Sequence, residues 1–167
     1  ETAGGIHGGN RIGGSALSAA LVFGRRAGKS AATDAKQQPA INHSNEIAIP
    51  DADRNWLMQL LNRSAGPLQA DVRQNCRMLA HEDLGAIRDA KHCASALAEF
   101  ERITHEDLPQ MRLADAARSS IKSRSLELES ALSARNLALL GRLLATASLH
   151  REESRGAHYR LDFPETN

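Results

Sequence analysis

The sequence predicts a mainly α fold: a glycine-rich segment and one helix, then an antiparallel three-helix bundle of spectrin-repeat type, then an extended C-terminal tail. Two observations carry this expectation. Ala, Leu, Arg and Glu dominate the 167 residues while aromatics make up only 3%, a mix rich in unbranched helix formers. Three long stretches place apolar residues at helical spacing, with no strand-like alternation between them. A hydrophobic content of 41% is enough for a real core.

Residues 1–14 hold Gly4, Gly5, Gly8, Gly9, Gly13 and Gly14, a density that permits positive φ angles and close backbone approach to a ligand. From Ser15, a plausible N-cap, Leu17, Ala20, Leu21 and Gly24 form one helical face, and Gly28 or the Ala-rich turn after it ends the helix. Residues 35–50 read as a linker, polar and punctuated by Pro39 and Pro50. Next comes a helix from about Asp51 to Arg63, with Trp56, Leu57, Leu60 and Leu61 on one face, closed by Ser64-Ala65-Gly66-Pro67. Pro67 suits the first turn of a helix to about Ala80 that buries Leu68, Val72, Cys76 and Leu79. Another runs from about Asp89 to Thr104 on Cys93, Ala96, Leu97, Phe100 and Ile103, with Pro109 marking the loop beyond. The longest, from roughly Ser119 to Glu152, is about 50 Å at 1.5 Å per residue. Leu128, Leu132, Leu139 and Leu143, beside Leu137, Leu140, Leu144 and Ala147, are its expected buried face. The domain reading is therefore 1–34, a linker over 35–50, and a helical domain with a docking tail over 51–167.

Lys and Arg number 21 against 20 Asp and Glu, a net charge of +1, so no field exists to hold nucleic acid by charge alone. Cys76 and Cys93 fall within helical patterns and read as small buried residues, neither a zinc site nor a redox pair. No run approaches the roughly 18 apolar residues that span a bilayer. The tetrapeptide His-Glu-Asp-Leu, at His81–Leu84 and His105–Leu108, invites a metal reading, but it sits at helix ends and lacks the His-x-x-x-His spacing of a helical zinc site. Beginning at Glu1 and running straight into glycines, the chain reads as a piece of a longer protein.

Two segments carry chemistry. In the first, glycines lead into a helix N-terminus, where unpaired N–H groups and the positive end of the helix dipole make an anion site. Its spacing is neither GxGxxG nor a Walker motif. The run holds Glu1, Gly4-Gly5, His7-Gly8, Asn10-Arg11, Gly13-Gly14 and Val22-Phe23-Gly24-Arg25 with Ala27-Gly28. It resembles the end of the FAD-binding domain in succinate dehydrogenase and fumarate reductase flavoproteins. The second segment, Arg151 to Pro164, resembles the R-x-ESRGAHYR-x-DFP signature of the same family's C-terminal helical domain. Leu84 to Asp89 and Arg135-Asn136-Leu137 resemble other parts of that domain, so the likeness covers nearly the whole chain.

The resemblance implies an FAD-dependent oxidoreductase that interconverts succinate and fumarate, with residues 1–34 a remnant of the FAD-binding domain. It implies that Glu1 hydrogen-bonds the adenosine ribose, that the backbone at Ala16 and Leu17 meets the flavin, and that Arg11 clamps a carboxylate of the dicarboxylate substrate. A guanidinium suits that task, because its planar fork makes two parallel charge-assisted bonds. The family's proton donor, an arginine of the capping domain, and its pyrophosphate-binding segment match no stretch here, so the chain alone is expected to be inactive. Partners implied are the remainder of the flavoprotein and an iron–sulfur subunit, in the cytoplasm or peripheral on the cytoplasmic membrane face through partner subunits. In the tail, Arg155, His158 and Arg160 are expected as contacts to the FAD-binding domain. L-aspartate oxidase, a relative of the same architecture, typically reads NR-x-ASNSL where this chain has Asn10-Arg11-Ile12-Gly13-Gly14-Ser15-Ala16-Leu17. The double glycine favours the succinate and fumarate group, although Ser15 stands where that group usually has Asn. A helical interaction module without catalysis is the reading from a different class.

Overall fold

The computed structural model describes residues 5, 7–38, 49–118 and 120–165. Glu1 and most of the linker lie outside these residues. The chain divides into two compact units, Glu1–Ile49 and Pro50–Asn167.

In the first unit α1 spans Ser15–Gln37 and ends where the Gln38 N–H meets the Asp34 carbonyl at 3.0 Å. The helix passes through Gly28 and runs well beyond it. A glycine costs a helix only about 1 kcal/mol, and Ala31, Ala32 and Ala35 downstream are the best formers available. None of the residues of α1 is buried.

The second unit contains α2 (Asp51–Asn62), α3 (Gln69–Asp83), α4 (Ala90–Arg102), α5 (Leu108–Gln110) and α6 (Ile121–His150). Two-residue strands β1 (Ile87–Arg88) and β2 (Tyr159–Arg160) pair in parallel. α4 does not stop near Thr104. It passes through a π-helical turn, Ile103–Asp107, into α5, so that the helical path reaches Gln110. Arg102 braces that turn, gripping Glu99 and, with both Nη atoms, the Asp107 carboxylate at 2.8 and 2.9 Å. The loop before α3 is fastened to the strand-like stretch after α5: Arg112 donates from its backbone to the Pro67 carbonyl and accepts from the Gln69 N–H. Gly66 makes this possible, with φ at 117°, because a side chain there would collide with the Gln110 carbonyl oxygen.

α3 and α4 both pack along α6. The face that α6 turns to them is built mainly from its small residues; of the expected leucines only Leu128 and Leu137 pack half-buried against the core. Ala131, Ala134, Ala138, Gly141, Ala145 and Ser148 are buried, stepping by three and four, while Leu132, Leu139, Leu140, Leu143 and Leu144 are exposed, Leu140 by 59%. Both sets satisfy the helical period, and the small set wins because it lets neighbouring helices come close. Phe100 of α4 fills the space where Gly141 would carry a Cβ. Most of the expected buried sets on α3 and α4 are found: Val72 and Cys76, then Cys93, Ala96, Phe100 and Ile103, with Leu79 and Leu97 half-buried against them, whereas Leu68 is the half-buried N-cap of α3 and Pro67 precedes the helix.

Candidate functional site

In the first unit, Gly8 and Gly14 hold φ at 61° and 86°, values that side-chain-bearing residues rarely adopt, and the chain turns there into α1. Gly14 is the N-cap and offers no capping side chain. The Ser15 N–H reaches the Ile12 carbonyl at 3.2 Å, and the other first-turn N–H groups of a helix have no acceptor within it. A Cβ built on Gly8, Gly13 or Gly14 meets nothing within 4 Å, so the backbone is open to close approach. Arg11 lies in this loop, exposed, its backbone N–H held by Asn10 Oδ1 at 2.8 Å. Its guanidinium has no partner among the described residues. Ala16 and Leu17 are exposed in the first turn, Leu17 by 70%. Donor N–H groups, an open glycine backbone and an unpaired guanidinium fit an anionic cofactor and a carboxylate ligand. Glu1 lies outside the described residues, and His7 is an exposed loop residue.

The tail of the second unit is non-helical, but it is folded back rather than extended. The Gly156 turn, with φ at 62°, brings β2 beside β1. Arg160 is only 1% exposed and points inward. Its guanidinium donates to the carbonyls of Ser148, Leu149 and Arg151, the orphan acceptors at the C-terminal end of α6. It also grips Asp162 with two parallel bonds of 2.7 Å and lies over the Phe163 ring. Asp162 in turn accepts from the Ala90 N–H at the start of α4. The Arg160 bonds hold the Asp162 carboxyl down at about 2. Beside this pair, Arg88 contacts His158 Nδ1 at 2.9 Å. Since Arg88 can only donate, Nδ1 accepts, and the ring proton on Nε2 goes to the Arg151 carbonyl at 3.2 Å.

Two of the three tail residues expected to face the FAD-binding domain are thus consumed inside their own unit. His158 and Arg160 are buried, and only Arg155 stays at the surface, paired with Glu153. Sequence reasoning missed Arg88 and Asp162, their partners. Nothing local pairs residues 70 positions apart, although the charged Arg-x-Asp of the tail is a signal for the second. Cys76 and Cys93 are free and buried. Burial, with help from Asp107, pushes the Cys76 thiol up to about 11, and burial raises Cys93 too. His81 and His105 are exposed, the one in the last turn of α3 and the other in the π turn. Among the described residues no helix is long and apolar enough to cross a membrane.

Residues 73–167 match the model of a family described as fumarate reductase flavoprotein C-term. The chain is 32% identical to a fumarate reductase (CoM/CoB) subunit of Methanothermobacter marburgensis, over 99% of this chain and 28% of that protein. An L-aspartate oxidase of Caulobacter vibrioides is 30% identical over 98% of this chain and 24% of its own length. Among solved structures, a chain of the Mycobacterium smegmatis Sdh1 complex in the apo form superposes with a TM-score of 0.82 at 30% identity, covering 99% of this chain and 27% of that one. The chain spans about a quarter of the length of these relatives. With the family model covering more than half of its residues, the chain belongs to the succinate dehydrogenase and fumarate reductase flavoproteins, the family that also takes in L-aspartate oxidase.

Proposed function

We propose that this chain is the C-terminal part of an FAD-dependent dicarboxylate oxidoreductase that interconverts succinate and fumarate. Residues 1–34 then close an FAD-binding domain, and 51–167 form its helical domain, built as a three-helix bundle with a docked tail. The observation that carries the reading is the open glycine loop running into the uncapped start of α1, with Arg11 exposed inside it. Bound FAD would supply the hydride chemistry. This chain's own part is recognition: Glu1 takes the adenosine ribose, the backbone at Ala16 and Leu17 meets the flavin, and Arg11 grips and polarises a substrate carboxylate. The proton donor and the pyrophosphate-binding segment lie in the rest of the flavoprotein, so the isolated chain does not turn over. An iron–sulfur protein is the electron partner that such a flavoprotein would meet in its complex.

In the full-length protein Arg11→Ala should lower kcat/KM for succinate or fumarate by roughly two to three orders of magnitude, from the loss of a bidentate pair and an unpaired substrate charge. Steady-state kinetics beside a flavin-to-protein ratio tests this. Normal turnover refutes the role, and joint loss of flavin and activity reassigns Arg11 to holding the loop. A second reading, L-aspartate oxidase, has one relative in its favour. Gly13-Gly14 argues against it, and activity on L-aspartate exceeding that on succinate would establish it.

A further inference from the structure

A cleft of about 520 Å³ lies within the second unit, walled by α2 and α6 and floored by the π turn and α5. Its walls are regular. α2 contributes Trp56 and Gln59 from one face, and α6 contributes Arg135, Leu139 and Arg142 at i, i+4 and i+7. Leu108 and Pro109 supply apolar floor. A π-helical turn inside an otherwise α-helical path is an irregularity that recurs at functional sites, and here it supplies Thr104 to this cleft.

The charges are unequal. Arg135 is satisfied twice, by Asp53 at 2.9 Å and by the Trp56 ring, whose centroid lies 5.1 Å from its guanidinium carbon. Arg142, about 10 Å further along α6, is half-buried, and its guanidinium has no ion-pair or hydrogen-bond partner among the described residues. Its backbone carbonyl, by contrast, is engaged by the Thr146 hydroxyl. With Asp53 cancelling Arg135, one positive charge is left over, partly desolvated at the end of a cleft with an aromatic ring and aliphatic walls. A pocket of this size that joins apolar surface to placed polar groups is the form small-molecule sites take, and Gln59, Thr104 and Asn136 add neutral polar groups to the lining here.

We propose that this cleft binds a small organic monoanion with an apolar or aromatic body, its carboxylate on Arg142 and its body against Trp56, Leu108 and Leu139. The site shares no residue with the Arg11 loop and does not depend on the reading of that loop.

Trp56 is the single tryptophan of the chain, so its fluorescence reports on this cleft alone. The experiment titrates the full 167-residue chain with 3-phenylpropionate and, in parallel, with the neutral 3-phenylpropionamide, following Trp56 emission and the heat of binding. The acid should bind saturably, with Kd of about 1 mM or tighter, and the amide at least about tenfold more weakly, because it cannot pair with the guanidinium. Arg142→Gln, checked for unchanged helicity, should weaken the acid about tenfold and leave the amide where it was, while Arg11→Gln should change neither. Absence of saturation, equal binding of acid and amide, or acid binding indifferent to Arg142→Gln would each overturn the proposal. The acid and amide comparison needs no variant, so misfolding of Arg142→Gln leaves the test intact.

Discussion

Burying a guanidinium costs several kcal/mol unless its charge and its N–H groups are met, and Arg160 meets both conditions with one carboxylate and a row of helix-end carbonyls. The carboxylate end of the pair sets a pH dependence. The Asp162 carboxyl is held at about 2, below its ordinary value, because Arg160 favours the charged form in the folded state. The stabilisation is therefore complete above the ordinary carboxylate range near 4 and is lost as pH falls through about 2. Asp89, which accepts from the His92 N–H, and Glu153, held by Arg151 and Arg155, are shifted in the same direction and add to the slope. Urea unfolding followed between pH 6 and 2 should show wild-type stability declining across the lower part of that window, and Asp162→Asn should start less stable and decline less. Parallel curves for the two would assign the acid sensitivity elsewhere. At this scale the sequence was partly legible. Arg155, His158 and Arg160 stood out as a group, and Asp162 lies only two residues from Arg160, but Arg88, the partner of His158 across 70 residues, becomes visible only once the fold has brought β1 and β2 together.

Among the elements, α6 decides the packing. Its small residues form a seam along which α3 and α4 approach, with Gly141 beneath Phe100. An alanine there would improve helix propensity by about 1 kcal/mol, yet its methyl would occupy the place of the Phe100 ring. Overpacking of this kind costs about 1–3 kcal/mol, so against the propensity gain Gly141→Ala should be net destabilising by up to about 2 kcal/mol in thermal or urea unfolding. Adding Phe100→Leu should return part of that loss, making the double variant more stable than the sum of the single changes. A stabilising Gly141→Ala would mean that α4 and α6 separate more easily than this contact implies. The stripes of α3 and α4 were legible because their large apolar residues lie on one face. The stripe of α6 was not, because its leucines and its alanines obey the same period, and hydrophobicity alone ranks leucine first. The π turn left no mark in the pattern either; Pro109 suggested an end, whereas Arg102 and Asp107 carry the helical path around to it.

At the scale of the whole chain, the residues assigned to FAD and substrate all fall in Glu1–Ile49, while the core described above falls in Pro50–Asn167. The second unit should therefore melt cooperatively by far-UV circular dichroism without cofactor, and saturating FAD should leave its midpoint unchanged, since a ligand stabilises only what it binds. A midpoint that rises with FAD concentration would show that this chain makes a flavin site by itself. The tail that closes the second unit also bears on the order in which it forms. Asp162 reaches Ala90 across 72 residues, but Arg160 reaches Ser148 across only 12. Closing the shorter loop on an α6 already in place is cheaper in chain entropy by roughly 1.5 kcal/mol. On loop entropy alone, Arg160 is expected to find the end of its own helix before α4 is tied in through Asp162. During synthesis this segment leaves the ribosome behind every helix it fastens, so it acts as a clasp that closes only on helices already made.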